Sequence, residues 1–455
     1  MKEPGAILLV ACYELGHQPL AVAWPAAFLE RAGYRPAVMD ISVTPFDEEK
    51  ARHARVVAIS VPMHTALRLG QSVAARVRAV NPAAHVVFYG LYATLNAEYL
   101  LAHGAHSVLG GEVEQKLVEL VRGLEGNGEH HTASATPTLA RLDFPAPHRA
   151  GLPSLDRYAK LERDGRLELA GYVEASRGCL HHCRHCPIPP VYGGRFFAVP
   201  RDVVMADIRQ LIAAGATHIT FGDPDFLNGP THALRLAREL HREFPAATFD
   251  FTAKVEHLRR HERHLGELAR LGGLFVVSAV ESLSDAVLQH LAKGHTRDDV
   301  AHVLKAVRAA GIAFRPTWVA FTPWTTLDDY VEMLDFVSDE GLIDHVDPVQ
   351  YSIRLLVPPG SLLLHTAAMR PSLGELVPEG FHYRWQHPDP RMDALHAEVS
   401  TLVADAAERR EDAAVTFGRI RAIVDRVAGA ASRASEMALA GDRRRPPRLT
   451  EPWFC

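Results

Sequence analysis

The stretch Arg177-Gly-Cys-Leu-His-His-Cys-Arg-His-Cys186 carries three of the chain's five cysteines, spaced C-x3-C-x2-C. Three thiols this close can hold one iron–sulfur cube by three of its irons. Ferredoxin-type electron carriers normally supply a fourth cysteine. A cluster short of one ligand keeps an open Lewis-acidic iron, which suits a chelating substrate better than simple electron transfer. Arg177, Arg184 and three histidines flank the sulfurs, and positive charge favours the ligating thiolate. Gly178 allows a tight turn into the loop, and Pro187, Pro189 and Pro190 stiffen its exit. The competing reading is a structural zinc site closed by His181, His182 or His185. Zinc sites usually pair ligands from two knuckles, and no second Cys/His knuckle follows downstream.

The loop sits between two stretches of strand–helix alternation. In the first, the apolar runs 6–12, 35–41, 56–61, 86–89 and 107–109 read as buried strands. Helical spacing over 17–33 and 67–80 fills the gaps, closed by Ala32-Gly33 and Asn81-Pro82. This predicts an α/β fold that begins with a doubly wound, Rossmann-like parallel sheet. Ligands of such sheets lie beyond the carboxyl ends of the strands, here near 12–19, 60–65, 90–94 and 110–114. In the second stretch, strands are expected at 172–176, 218–221, 249–254, 274–280, 313–320 and 349–355, followed by helices over 392–408 and 415–428. The boundaries are drawn at 1–125 for the first domain, 126–168 for a Gly-, His- and Pro-rich linker, 169–375 for a barrel, and 376–455 for a helical cap and tail.

The cysteine loop resembles the signature of the radical S-adenosylmethionine (radical SAM) enzymes, with His185 where an aromatic residue is usual. The resemblance implies an open partial (β/α)6 barrel. Cys179, Cys183 and Cys186 would hold a 4Fe–4S cluster whose open iron is chelated by SAM, which is then cleaved reductively to a 5′-deoxyadenosyl radical. Site residues carry over one at a time. Gly222 and Asp223 match the motif after the second strand, near the SAM amino group, although Asp223 and Asp225 also suit turn or cap roles. Ser278 and Glu281 end the fourth strand, where the family contacts ribose and the SAM carboxylate. Pro323 closes the adenine-side strand, with Ala320 where glycine is usual. Lys293-Gly-His295 matches a segment of cobalamin-type members, with a surface helix end as the alternative.

The first 125 residues resemble the cobalamin-binding domain that precedes many radical SAM domains. The resemblance rests on element order, on Gly90-Leu-Tyr-Ala-Thr-Leu95 and on Leu109-Gly-Gly-Glu-Val-Glu114. It implies cofactor contacts from Ser60, Gly90, Thr94, Gly110, Gly111 and Glu112. The Asp-x-His-x-x-Gly frame that puts a histidine on cobalt is absent, so no protein histidine is expected on the metal; His17 lies near the matching loop. The alternative is a Rossmann-like domain without its cofactor.

Composition narrows the partners. A net charge of -5 gives no electrostatic reason to expect nucleic acid. Five cysteines without a paired framework point to a reducing compartment, and the longest N-terminal apolar run is too short for a membrane span or signal. A cytoplasmic enzyme is expected, acting on a small-molecule substrate and taking electrons from a donor such as flavodoxin or ferredoxin. Methylation of an unactivated carbon or a heteroatom is the first expectation. Transfer of another SAM-derived group, such as 3-amino-3-carboxypropyl, and a non-catalytic metal or metalloid carrier are the alternatives.

The end of the chain, Leu449-Thr-Glu-Pro-Trp-Phe-Cys455, resembles the approach to the tail of the radical SAM group named for a C-terminal CUAEP or CCAEP motif. The match stops at Cys455, where selenocysteine or a second cysteine would come next. It implies a selenoprotein whose sequence continues past this point, and a catalytic role for Cys455 as half of a soft-ligand pair at the barrel mouth. The plain alternative is one exposed thiol on a short tail.

Overall fold

The computed structural model describes residues 1–125, 136–429 and 445–451. Cys455, with Trp453 and Phe454, lies outside the described residues, and so do residues 126–135 of the linker.

The first domain is a five-stranded parallel sheet: β1 (Ile7–Ala11), β2 (Ala37–Asp40), β3 (Val56–Ser60), β4 (His85–Tyr89) and β5 (Ser107–Leu109), in the order β2-β1-β3-β4-β5. The unbroken apolar runs form strands because both sheet faces are covered. Ile7, Leu9 and Ala11 belong to the core under helices Leu20–Arg31 and Glu114–Glu125, whereas Leu8 and Val10 pack into a second core with helix His64–Val80. The strand order reverses direction between β1 and β3, the point where such sheets take ligands.

The described part of the linker runs over the surface and then adds a strand. β6 (Lys160–Arg163) pairs antiparallel with β7 (Arg166–Val173), the first strand of the second domain. The short hairpin of β8 (Ser176–Gly178) and β9 (Phe196–Ala198) brackets the cysteine loop. β10 (His218–Phe221), β11 (Thr248–Thr252), β12 (Gly273–Glu281) and β13 (Ala313–Trp318) continue parallel to β7. A second hairpin, β14 (Leu373–Val377) and β15 (His382–Trp385), precedes the C-terminal helices, and β16 (Arg448–Leu449) returns to pair with β6. The curled sheet has the order β13-β12-β11-β10-β7-β6-β16.

Three sequence expectations change here. The strand expected at 349–355 is a 3-10 turn, Pro348–Ser352, with a lone bridge between Phe321 and Arg354. The N–H of Trp318 that a sixth strand would pair instead donates to Oε1 of Gln350 at 2.9 Å. A side chain thus replaces the ladder, and Pro348 has no N–H to give. Helices Pro390–Glu408 and Ala413–Ala428 do form, but they pack on helix Leu327–Asp339 and the Pro348–Ser352 turn. They cover the flank where the sixth strand would run. Arg354 belongs to that flank: it pairs with Asp393 at 2.8 Å and lies 3.6 Å over the Trp385 ring. Finally, the stretch drawn as tail contributes a strand, because Arg448 and Leu449 join the main sheet.

Candidate active site

The carboxyl ends of the first sheet face the mouth of the curled sheet across one cleft. Ser60, Tyr89, Gly90 and Gly111 line one wall; Ser176, Arg177, Gly178 and Gly222 line the other. Its cavity volume is about 170 Å³. Ser60 is fully buried, and its hydroxyl finds no partner among the described residues. The loops that build the first wall are tightly interlocked. Gly90 has φ +111, and an added Cβ would sit 3.1 Å from the Val61 backbone. Thr94 donates to the Gly90 carbonyl at 3.1 Å and packs so closely on Gly110 that a Cβ there would run into it. Gly111 takes the linker residue Thr138 against its backbone.

Glu112 reaches across to the other domain. Its carboxylate accepts from Arg177 Nη1 at 3.1 Å and from the Tyr192 hydroxyl at 2.9 Å. Arg177 also pairs with Glu114 at 2.6 Å and Glu174 at 3.1 Å, and lies 4.9 Å over the Phe144 ring. Burial pushes the Glu112 carboxyl up, with Arg177 pulling against it. Burial also works against the charge on Arg177, but Glu114, Glu112 and Glu174 outweigh it and hold the guanidinium protonated.

Between Gly178 and Ile188 of the second wall runs the cysteine loop, whose Cys179, Cys183 and Cys186 are free thiols, the first two buried. Burial pushes Cys186 up to about 12, and the neighbouring sulfurs add to the effect; burial raises Cys179 as well. This corrects the expectation that flanking charge prepares the thiolates. Arg177 is spent on three carboxylates, and Arg184 Nη1 donates to the His290 carbonyl at 3.2 Å. Three free thiols on one short loop, two of them buried and near enough to raise one another's pKa, are a soft donor set, so the residues present fit an iron–sulfur cluster. Asn228 stands beside them, with Nδ2 3.6 Å from Cys179 Sγ.

The carried-over residues separate into groups. Glu281 accepts from Lys293 Nζ at 3.1 Å and meets His185 Nε2 at 3.2 Å. Its φ of +67, rare for a side-chain-bearing residue, goes with the irregular register at the end of β12. Burial would raise its pKa, yet Lys293 and His185 hold it far below the usual carboxylate range. Lys293 is therefore a buried partner of the loop rather than a surface helix end. Asp223 accepts from the Ala175 amide at 3.0 Å and from the Ser176 hydroxyl, fixing the backbone that enters the cysteine loop; burial pushes its carboxyl up to about 7. Gly222 has no room for a Cβ because the Tyr172 ring occupies that space. Ser278 is fully buried and donates to the Ala253 carbonyl at 2.8 Å. Pro323 is buried in the segment that follows β13. Asp225 caps the turn at Leu227 and joins His257 at 2.8 Å, with His181 3.7 Å away. The His181 ring lies over His257, its Nε2 3.5 Å from His257 Nδ1.

His17 is also accounted for. Its ring stacks on Tyr172 at 4.4 Å, and Nε2 is 3.0 Å from Glu451 of the tail. Sequence reasoning missed Asn228, Glu174, Tyr192 and Arg315. Only Arg315 had a visible signal, as a lone charge inside the strand Ala313–Trp318.

Two domain models match this arrangement, the B12 binding domain over residues 6–121 and the Radical SAM superfamily over 173–337. The chain is a radical SAM enzyme with an N-terminal B12-binding domain. Among solved structures, the cobalamin-dependent radical SAM enzyme OxsB, with aqua-cobalamin and S-adenosylmethionine bound, superposes with a TM-score of 0.68 at 13% identity, covering 92% of this chain and 72% of that one. The radical SAM methyltransferase TsrM from Kitasatospora setae, with cobalamin and a [4Fe-4S] cluster bound, gives 0.58 at 16% identity, covering 74% and 70%. Among curated relatives, a tRNA-2-methylthio-N(6)-dimethylallyladenosine synthase of Geobacter sulfurreducens is 25% identical over 47% of this chain and 51% of its own length. A ribosomal protein uS12 methylthiotransferase of Desulfosudis oleivorans is 25% identical over 50% and 53%. The chain spans about half the length of these curated relatives. Among the described residues, no helix is long and apolar enough to cross a membrane.

Proposed function

We propose that this chain is a cobalamin-dependent radical SAM transferase that moves a methyl group from SAM to an unactivated carbon or a heteroatom of a small molecule. The observation that carries this is the cleft with Gly178 and Ile188, which flank the three cysteines, on one wall and the strand ends of the B12-binding domain on the other. Cys179, Cys183 and Cys186 would hold the 4Fe–4S cluster, and Ser60, Gly90, Thr94, Gly110 and Gly111 would border the corrinoid. When bound, the cluster supplies an open iron for SAM and an electron for its cleavage, and the corrinoid supplies a methyl carrier.

The chain's own residues orient and enclose. Asp223 fixes the entry to the loop through Ala175 and Ser176. Glu281, held ionised by Lys293 and His185, buttresses the middle of the loop. Asn228 offers a hydrogen bond to the Cys179 sulfur, which stabilises negative charge there. Glu112 and Arg177 close the seam beside the cleft and help exclude water. Electrons would come from a flavodoxin- or ferredoxin-type donor. Cys455 stays a candidate for a soft-ligand or reductive role.

The curated relatives raise methylthio transfer as a second possibility. Inserting sulfur needs a sulfur donor besides the loop thiols. Among the described residues the remaining cysteine is Cys12, buried in the first domain, its thiol pushed well up by burial. Methyl transfer therefore fits better.

The test is anaerobic reconstitution with iron, sulfide and hydroxocobalamin, followed by mass spectrometry of SAM products under reduction. S-adenosylhomocysteine or 5′-deoxyadenosine formation with cobalamin retained is expected. Stoichiometric zinc without iron, or intact SAM, would refute the proposal.

A further inference from the structure

Below the mouth, the curled sheet encloses a polar lumen. Asp250 lies opposite Phe275 in register; one layer nearer the mouth, Thr252, Val277 and Arg315 align across β11, β12 and β13. A cavity here is lined by Asp250, Arg315, Asp347 and Gln350, and by Leu449 and Glu451 of the tail strand. Its volume of about 40 Å³ is that of a few water molecules, enough for a small polar group. The tail is held in place as a wall: Arg448 pairs with Glu162 at 2.8 Å, and Thr450 donates to the Lys160 carbonyl at 2.9 Å.

Arg315 is the unusual member. It is 6% exposed, and Nη2 pairs with Asp347 at 2.9 Å. Nη1, equally buried, has no partner among the described residues. A buried guanidinium arm without an acceptor is costly, and a planar carboxylate is the group that matches it. Acidic groups stand on other walls of the same cavity. Asp250 accepts from His218 at 2.8 Å and Thr220 at 2.7 Å, and Glu451 meets His17 at 3.0 Å. Such walls repel a phosphate dianion and attract an ammonium.

We infer that Arg315, with Glu451 and Asp250, forms a subsite for the zwitterionic head of an α-amino-acid substrate, its carboxylate on Arg315 Nη1 and its ammonium toward the acids. This deepens the proposed function by assigning a substrate class, and it rests on the reading that the chain acts on a small molecule. The assay below reads binding without turnover, so its outcome is independent of whether SAM is cleaved.

The experiment is saturation-transfer NMR on the full-length reconstituted protein, with glycine, acetate, methylamine and inorganic phosphate as probes. Glycine should bind more tightly than acetate, and methylamine and phosphate should not compete. R315Q should weaken glycine at least tenfold, the scale of one lost charge-assisted contact. E451Q should weaken glycine but not acetate. Because R315Q also breaks the bridge to Asp347, D347N is the control: it breaks the same bridge, frees the second arm, and should bind glycine as well as the parent or better. Unchanged glycine binding in R315Q, equal loss in D347N, no glycine binding at all, or phosphate competing as well as glycine would each overturn the assignment.

Discussion

Arg177→Met should weaken the seam between the two domains, and by an amount that depends on pH. Methionine keeps much of the stem packing beside Phe144 while removing the charge. Three carboxylates then lose their common cation, two of them nearly fully buried: Glu112 at 1% exposed and Glu114 at 2%. Each contact is worth about 4 kcal/mol gross at an effective dielectric near 20, but mutual repulsion among the acids offsets part of it. Breaking a buried pair from one side costs about 3–5 kcal/mol, and that is the loss expected at pH 8. The sign with pH follows from Glu112. Its folded pKa is already raised by burial, and removing Arg177 raises it further. A carboxyl with a raised folded pKa costs increasing stability as pH climbs above its unfolded value, about 4.3. The penalty should therefore shrink to about 1 kcal/mol near pH 5, where the acids take up protons. Urea unfolding at both pH values reports this through tryptophan fluorescence, since Trp24 lies 5.7 Å from the guanidinium. Equal losses at the two pH values, or a loss under about 1 kcal/mol at pH 8, would mean that the carboxylates are effectively solvated and the seam is held by packing.

Replacing Cys179, Cys183 and Cys186 together by alanine should abolish the brown cluster absorbance and all SAM cleavage, read by absorbance and mass spectrometry after anaerobic reconstitution. Gly222→Val should drive a side chain into the Tyr172 ring and cost about 1–3 kcal/mol in a urea titration; a neutral result would show that the ring moves freely. Asp223, raised to about 7 by burial, makes the parent lose stability as pH rises from about 4 to 7. Asp223→Asn should flatten that slope, and parallel stability profiles would contradict the assignment. Bound cobalamin should show no axial nitrogen hyperfine from protein in the cobalt(II) paramagnetic resonance spectrum, because His17 is engaged by Glu451 and Tyr172.

Much of the fold was legible because burial on both faces writes strands as unbroken apolar runs, as in Ile7–Ala11 and His218–Phe221. The cysteine loop was legible because its ligands are local. What failed was whatever depends on where a side chain points or on a partner far along the chain. Arg177 is two residues from Cys179, yet it serves Glu112 from the other domain. The segment 349–355 carries strand-like residues, but Gln350 supplies from its side chain the acceptor that a backbone ladder would have supplied. Arg448 and Leu449 form a strand too short for any periodicity, and their partner β6 lies in a stretch whose prolines read as linker.

The last two of these failures share a location. The tail strand and the Pro348–Ser352 turn line one side of the lumen, and β6 and the His17 loop hold the tail there. Closing a curled sheet with short pieces from four distant parts of the chain gives no single segment a pattern of its own. It does allow charged residues from each piece to meet inside. Arg315 and Asp347 face Glu451 and Arg448 there, over separations that sequence spacing does not reveal. The interior of that gap is therefore polar where a closed barrel would pack branched apolar layers, and this is the part of the fold least visible from the sequence.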